Sequence, residues 1–183
     1  IAKRGLALVL GLISRGLADK WCLKYIDKLR KTRNSHVLFA ANLGRGLILE
    51  NKGARLSWRI DKDKPYAFQI SETMFWTLSR YRSESSKKLE GMIHSSNPYR
   101  RIYCILCYSL KNRGSGESRI LHKLRRQEIF RSPLASRALA IGIGLINQGE
   151  PNARLETVLD KLLESPDLTI RASAVLGLSL MYQ

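Results

Sequence analysis

Cys104 and Cys107, spaced Cys-x-x-Cys, are the residues of this chain whose types and spacing point most directly to chemistry. A dithiol at that spacing holds a metal or exchanges disulfides. Zinc needs a second ligand pair, and His36, His94 and His122 stand singly, none with a partner at ligand spacing. A redox pair needs a strand-to-helix turn, whereas Ile102–Leu110 reads as continuous apolar helix. The expectation is therefore thiols buried as small hydrophobes. With Cys22 the cysteines number three, an odd count that argues against a disulfide framework and for a reducing compartment, cytoplasmic or nuclear.

Other candidates are weaker. Gly142-x-Gly144 could belong to a dinucleotide-binding loop, but no strand pattern precedes it. Glu156 and Asp160, four residues apart, share a helix face and read as a solvated surface rather than an acid/base pair. No Ser/His/acid order, paired-carboxylate motif or phosphate loop is present, so the expectation is a protein that is not an enzyme and carries no cofactor or metal. The charge is more telling. The formal net charge is +17, with nine bases against two acids in residues 1–35 and ten against two in 96–137, while 138–183 is mildly acidic. Lys20, Lys24, Lys28 and Lys31 sit three or four apart on one side of a helix, as do Arg119, Lys123 and Arg126. Such stripes bind polyanions by releasing phosphate counterions, or meet an acidic protein partner, or simply keep a long protein soluble.

The elements that carry these residues are helical and repetitive. At 44% hydrophobic and 26% charged, the 183-residue chain can bury an ordinary core. No apolar run reaches the ~18 residues that span a bilayer, so no membrane partner is expected. Lys3 and Arg4 before Leu6–Ile13 faintly suggest a secretory leader, but Arg15 interrupts the stretch and no Ala-x-Ala site follows. Ile1 and Gln183, the latter inside an apolar periodic segment, suggest cuts in a longer array.

Set against itself at a shift of 35, the chain aligns Ala140–Gly149 with Val175–Gln183, and upstream Ile105–Gly114 fills the same frame. Ala7–Gly16 repeats it with the same Gly-Leu-Ile-x-x-Gly ending as Gly144–Gly149, and Leu43–Gly53 is a stretched version. Asn97-Pro98, Ser132-Pro133 and Ser165-Pro166 each place a capping side chain before a proline at the first helical position. The apolar helices so opened end at or near Gly114, Gly149 and the chain's end, and the glycine can close the helix in a left-handed cap. A more amphipathic helix follows: Ala18–Arg30, Glu84–His94, Glu117–Gln127 and Ala153–Leu163, the last with a stripe of Leu155, Val158, Leu159, Leu162 and Leu163. The predicted units run 1–33, 34–64, 65–96, 97–131, 132–164 and 165–183, forming one helical-repeat domain with a charged loop at Arg59–Lys64. Glycine in a helix interior costs about 1 kcal/mol, so Gly11, Gly44, Gly46, Gly142, Gly144 and Gly177 predict apolar helices packed too closely for larger side chains.

Ser165–Leu178 resembles a HEAT repeat, with an Asp and an Arg of the kind that link neighbouring repeats in that family. The Gly-x-Gly-Leu-Ile-x-x-Gly ending is more particular and resembles the proteasome/cyclosome repeat of the two large scaffold subunits of the proteasome base and of the largest anaphase-promoting-complex subunit. Asn97–Gly116, Ser132–Gly149, Ser165–Gln183 and Arg4–Gly16 carry it, under half of the chain, and residues 54–96 lack the glycine signature. The resemblance implies an all-α solenoid of about five to six helical hairpins and a non-catalytic scaffold holding protein partners in a larger assembly. The alternative is a HEAT solenoid whose basic concave face binds nucleic acid. Trp21, Trp58 and Trp76, one per unit, read as wedges between helices rather than base-stacking platforms. A HEAT-fold DNA glycosylase would need an acid beside exposed aromatics, for which Asp19 with Trp21 is the weak candidate.

Overall fold

Capping side chains set where the helices begin. A computed structural model describes residues 2–50, 52, 66–92, 95–117, 119 and 132–183, and among them every regular element is α-helical. The helices are α1 (Ala2–Ile13), α2 (Lys20–Leu29), α3 (Ser35–Ile48), α4 (Tyr66–Arg80), α5 (Ser86–Met92), α6 (Pro98–Lys111), α7 (Pro133–Ile146), α8 (Ala153–Leu163) and α9 (Leu168–Met181). Asn97 accepts from the amides of Tyr99 and Arg100 at 2.9 and 3.3 Å, and Ser132 from that of Ala135 at 3.5 Å, with Pro98 and Pro133 in the first turn. Each cap satisfies amides that have no partner inside the helix.

Three boundaries differ from expectation; one is the start of α5, which begins at Ser86 rather than Glu84. Ser165-Pro166 does not open α9: Asp167 does, accepting from the Thr169 and Ile170 amides at 2.7 and 3.4 Å, while Ser165 Oγ accepts from the Asp167 amide. The carboxylate two residues on takes the capping role and Pro166 stays in the connection. Likewise α2 starts at Lys20 rather than Ala18, because Ala18 takes a left-handed φ of 55° and Asp19 caps the helix through Cys22 N at 2.6 Å. Residues 118 and 120–131, most of the expected helix Glu117–Gln127, the loop Arg59–Lys64 and His94 lie outside the described residues.

The chain divides into two compact units, residues 1–83 and 84–183. In the first, α1 packs on α3, α3 on α4, and α2 lies against α1 and α3. In the second, α5 packs on α6, α6 on α7, α7 on α9, and α8 against both α7 and α9. The core of the second unit is nearly continuous along two helices: Ile102 to Ser109 of α6 are all buried, as are Ala135, Ala138, Leu139, Ala140, Ile143 and Ile146 of α7. Leu155, Val158, Leu159 and Leu162 of α8 are buried as one stripe, as their spacing dictates. No helix among the described residues is long and apolar enough to cross a membrane.

The turns after the long helices do structural work of their own. Gly16, Gly114 and Gly149 have φ values of 70°, 66° and 78°, a region that glycine enters without strain. In this conformation their amides donate to Leu47 O at 3.0 Å, Leu145 O at 3.0 Å and Met181 O at 3.2 Å. Those acceptors lie at the end of the next long helix in the unit, where carbonyls lack intrahelical donors. The same turns donate again from Ala18 to Ile48 O and from Gly116 to Ile146 O.

Candidate functional site

The glycines mark a recurring helix-to-helix junction. A β-carbon on Gly11 of α1 would stand 2.5 Å from the Cα of Gly44 in α3, and one on Gly44 would overlap the carbonyl oxygen of Ala7. In the second unit a β-carbon on Gly144 of α7 would overlap the carbonyl of Gly177 in α9, and one on Gly177 that of Ala140. The long aliphatic over each pair also corresponds: Ile26 of α2 lies 3.0 Å from the Gly44 position and Leu159 of α8 lies 3.1 Å from that of Gly177. A β-carbon on Gly46 would stand 3.2 Å from the Cα of Phe75 in α4, and one on Gly142 would stand 2.5 Å from Ser109 Oγ of α6. Four junctions thus place small residues where helices touch. Backbone cannot yield as a flexible side chain can, so the α1–α3 and α7–α9 junctions admit no larger residue without displacing a helix, whereas at Gly142 only side chains of α6 stand in the way.

Polar side chains mark the same frame. Arg15 forms a bidentate pair with Glu50, its second nitrogen at 3.0 Å, and Glu50 also accepts from the Tyr81 hydroxyl. In the second unit Arg113 donates to Gln148, and Gln148 to Gln183 at 3.1 Å. Arg15 and Glu50, like Arg113 and Gln148, are 35 residues apart, so the shift that aligns the glycines also predicts these partners. Holding Glu50 ionised, the Arg15 hydrogen bond lowers its pKa against the opposing effect of burial, and the Tyr81 hydroxyl adds to the lowering.

A partly buried network in the first unit has no signal in the repeat. Arg30 donates to Asn42 Oδ1 at 2.6 Å and to Glu72 at 2.8 Å, Asn42 donates to Ser71 Oγ at 2.8 Å, and Arg45 pairs with Asp27 at 3.0 Å while lying over the Phe75 ring. These groups come from α2, α3 and α4, with Arg30 closing the end of α2, so they tie three helices together.

The candidate chemistry resolves differently. Cys22, Cys104 and Cys107 are buried free thiols; Cys104 donates to Leu89 O at 2.7 Å and burial pushes its pKa up to about 12, which suppresses the reactive thiolate. Among the described residues, no three His, Cys, Asp or Glu side chains stand close enough to share a metal ion. His36 is exposed near the start of α3, beside Arg4, Leu8 and Phe39 in a groove of about 130 Å³. His122 is not among the described residues. Gly142 and Gly144 lie towards the C-terminal end of α7, far from the helix start where amides are free to meet a phosphate. Glu156 accepts from the Tyr182 hydroxyl at 2.7 Å, and the Asp19 carboxylate is engaged in capping α2.

Lys20, Lys24, Lys28 and Lys31 are all exposed, the first three on α2 and Lys31 in the turn after it. Arg119 is exposed, and Lys123 and Arg126 lie outside the described residues. The tryptophans part company. Trp76 is buried at 6% exposure, Trp58 is outside the described residues, and Trp21, expected as a wedge between helices, is 67% exposed. Tyr25, one turn later, stacks on the Trp21 ring, centroids 6.1 Å apart and planes at 20°. The apolar stripe of α2 that faces the core is Cys22, Ile26 and Leu29, and Trp21 lies beyond its edge.

No family model matches the chain, and no curated protein matches it.

Proposed function

We propose that this protein is a non-catalytic helical-repeat scaffold, an α-solenoid of HEAT type similar to the proteasome/cyclosome scaffolds, that holds protein partners in an intracellular assembly. The observation that carries the reading is the junction itself: α1 on α3, α3 on α4, α6 on α7 and α7 on α9 each press a small residue of one long helix onto the next. Repetition of one packing arrangement between successive hairpins is how solenoids extend a surface, and extended surfaces are what these architectures offer to partners. The turn amides that cap the following helix and the Arg15–Glu50 and Gln148–Gln183 pairs support the same reading, since each joins one hairpin to the next. Buried thiols accord with a structural role.

The test is size-exclusion chromatography with light scattering on the protein purified from its own cells at natural abundance, before and after nuclease. A scaffold migrates in a protein complex of defined mass that survives nuclease. A monomer in the extract, or a complex that dissolves on nuclease treatment, overturns the reading.

A further inference from the structure

We propose that the exposed side of α2 binds single-stranded nucleic acid, an inference that does not depend on the scaffold reading because it uses none of the junction residues. At about 100° per residue, Lys20, Lys24, Lys28 and Lys31 fall within a single arc of roughly 80°, facing away from buried Cys22, Ile26 and Leu29. The acids on this segment are engaged elsewhere: Asp19 caps the helix, and Asp27 pairs with Arg30 and Arg45. Among the described residues no ion pair involves any of the four lysines. Four uncompensated ammonium groups in a row match the phosphates of a polyanion strand.

Trp21 supplies what charge alone does not. It lies at the border of the lysine arc, with Lys24 and Lys28 beside it and Tyr25 behind it, and presents a broad indole face to water. A basic groove that tracks phosphates, edged by aromatic rings on which bases stack, is the arrangement that recognises single strands without sequence preference. A duplex keeps its bases stacked inside and offers Trp21 no free face. An acidic peptide would satisfy the lysines and leave the indole unused. A packed helix of a second copy is the rival that exposed Leu12, Ile13 and Leu17 raise, and it is an outcome that the experiment distinguishes.

The experiment titrates the whole chain into a labelled oligouridylate of about 15 nucleotides at ~50 and ~200 mM salt, with a duplex of the same length and inorganic polyphosphate as comparison probes, and follows anisotropy. The expected result is binding that weakens steeply with salt, favours the single strand over the duplex, and falls roughly five- to hundredfold in Trp21→Leu while Trp21→Tyr retains most of it. Trp21→Leu should leave polyphosphate binding unchanged. Replacing the four lysines by glutamine should flatten the salt slope by about one for each phosphate that is no longer neutralised. Circular dichroism on each variant identifies a loss of fold, and Trp21→Tyr keeps the test valid should Trp21→Leu not fold. The proposal is overturned if oligouridylate fails to bind at ~50 mM salt, if Trp21→Leu binds it within twofold of the parent, if polyphosphate loses as much as oligouridylate, or if light scattering finds a dimer that Trp21→Leu abolishes.

Discussion

The first and second units use one junction and fill the space around it with different chemistry. Ala7, Gly11, Ile26 and Gly44 are spaced along the sequence as Ala140, Gly144, Leu159 and Gly177 are, and they meet in the same way. Around that shared frame the first unit carries Arg15–Glu50 and the network of Asp27, Arg30, Asn42, Arg45 and Glu72. The second has neutral Gln148–Gln183 in place of the ion pair and apolar packing through α6, α7 and α9. Backbone proximity is therefore the part of the design held constant, and the surrounding side chains vary. An ionic network is not in itself stabilising relative to apolar packing, but where members such as Glu72 and Asn42 are buried it is intolerant of losing their partner.

The largest effect should come from Gly144→Leu. Its β-carbon would overlap the backbone of Gly177, so the helices must separate, at a cost of about 3 kcal/mol or more despite the gain in helix propensity. Urea unfolding measures it, and a more stable variant would break the comparison at its root. Next comes Arg30→Met, which leaves Glu72 and Asn42 in the first unit without their guanidinium and should cost about 1–3 kcal/mol. The further change Glu72→Leu in the same chain should recover part of that loss; if it deepens the loss instead, the network is not acting as a unit.

Acid sharpens the contrast between the two polar pairs. Glu50 has its pKa lowered in the folded state from the ordinary 4.5, the Arg15 hydrogen bond being the largest cause. Its ionised form is thus favoured by folding, so its contribution is complete above the ordinary glutamate value and is lost as pH falls through the lower folded-state value. Gln148 and Gln183 do not titrate. Urea midpoints taken from pH 7 down to pH 3 should decline less steeply below 4.5 in Glu50→Gln than in the parent; equal slopes would remove the pair from the account. The smallest effect concerns the thiols. Cys104, its pKa pushed up to about 12, should resist alkylation at pH 8 in the folded protein and react on denaturation. Mass spectrometry of labelled peptides reads this directly, and rapid native labelling would mean that α6 opens.

Much of this frame is legible in the sequence, because a glycine in a helix and a capping residue before a proline are costly or distinctive choices. Asn97 and Ser132 cap where they should, and the α8 stripe follows helical spacing. The region 65–96 is harder to read, since Phe75 stands where a glycine would be: its Cα, not its ring, meets Gly46, and one glycine per junction suffices. There the spacing also shortens, with Tyr81 only 31 residues from Glu50. The Asp27–Glu72 network has no periodic signature because its members come from unlike positions on three helices. The exposure of Trp21 is invisible to pattern because an indole at the edge of an apolar stripe reads the same whether or not a neighbouring helix covers it.

An alanine panel tests the shared junction most directly. Gly11 and Gly144 lie where a methyl would strike backbone, while Gly5 of α1 and Gly91 of α5 have nothing within 4 Å of that position. Gly11→Ala and Gly144→Ala should each lower the urea midpoint, by amounts similar to one another, with the slope of the transition unchanged. Gly5→Ala and Gly91→Ala should raise stability by up to about 1 kcal/mol through helix propensity. A rise in Gly11→Ala or Gly144→Ala would show that the helices of that unit do not meet through their backbones, and the account would fail there.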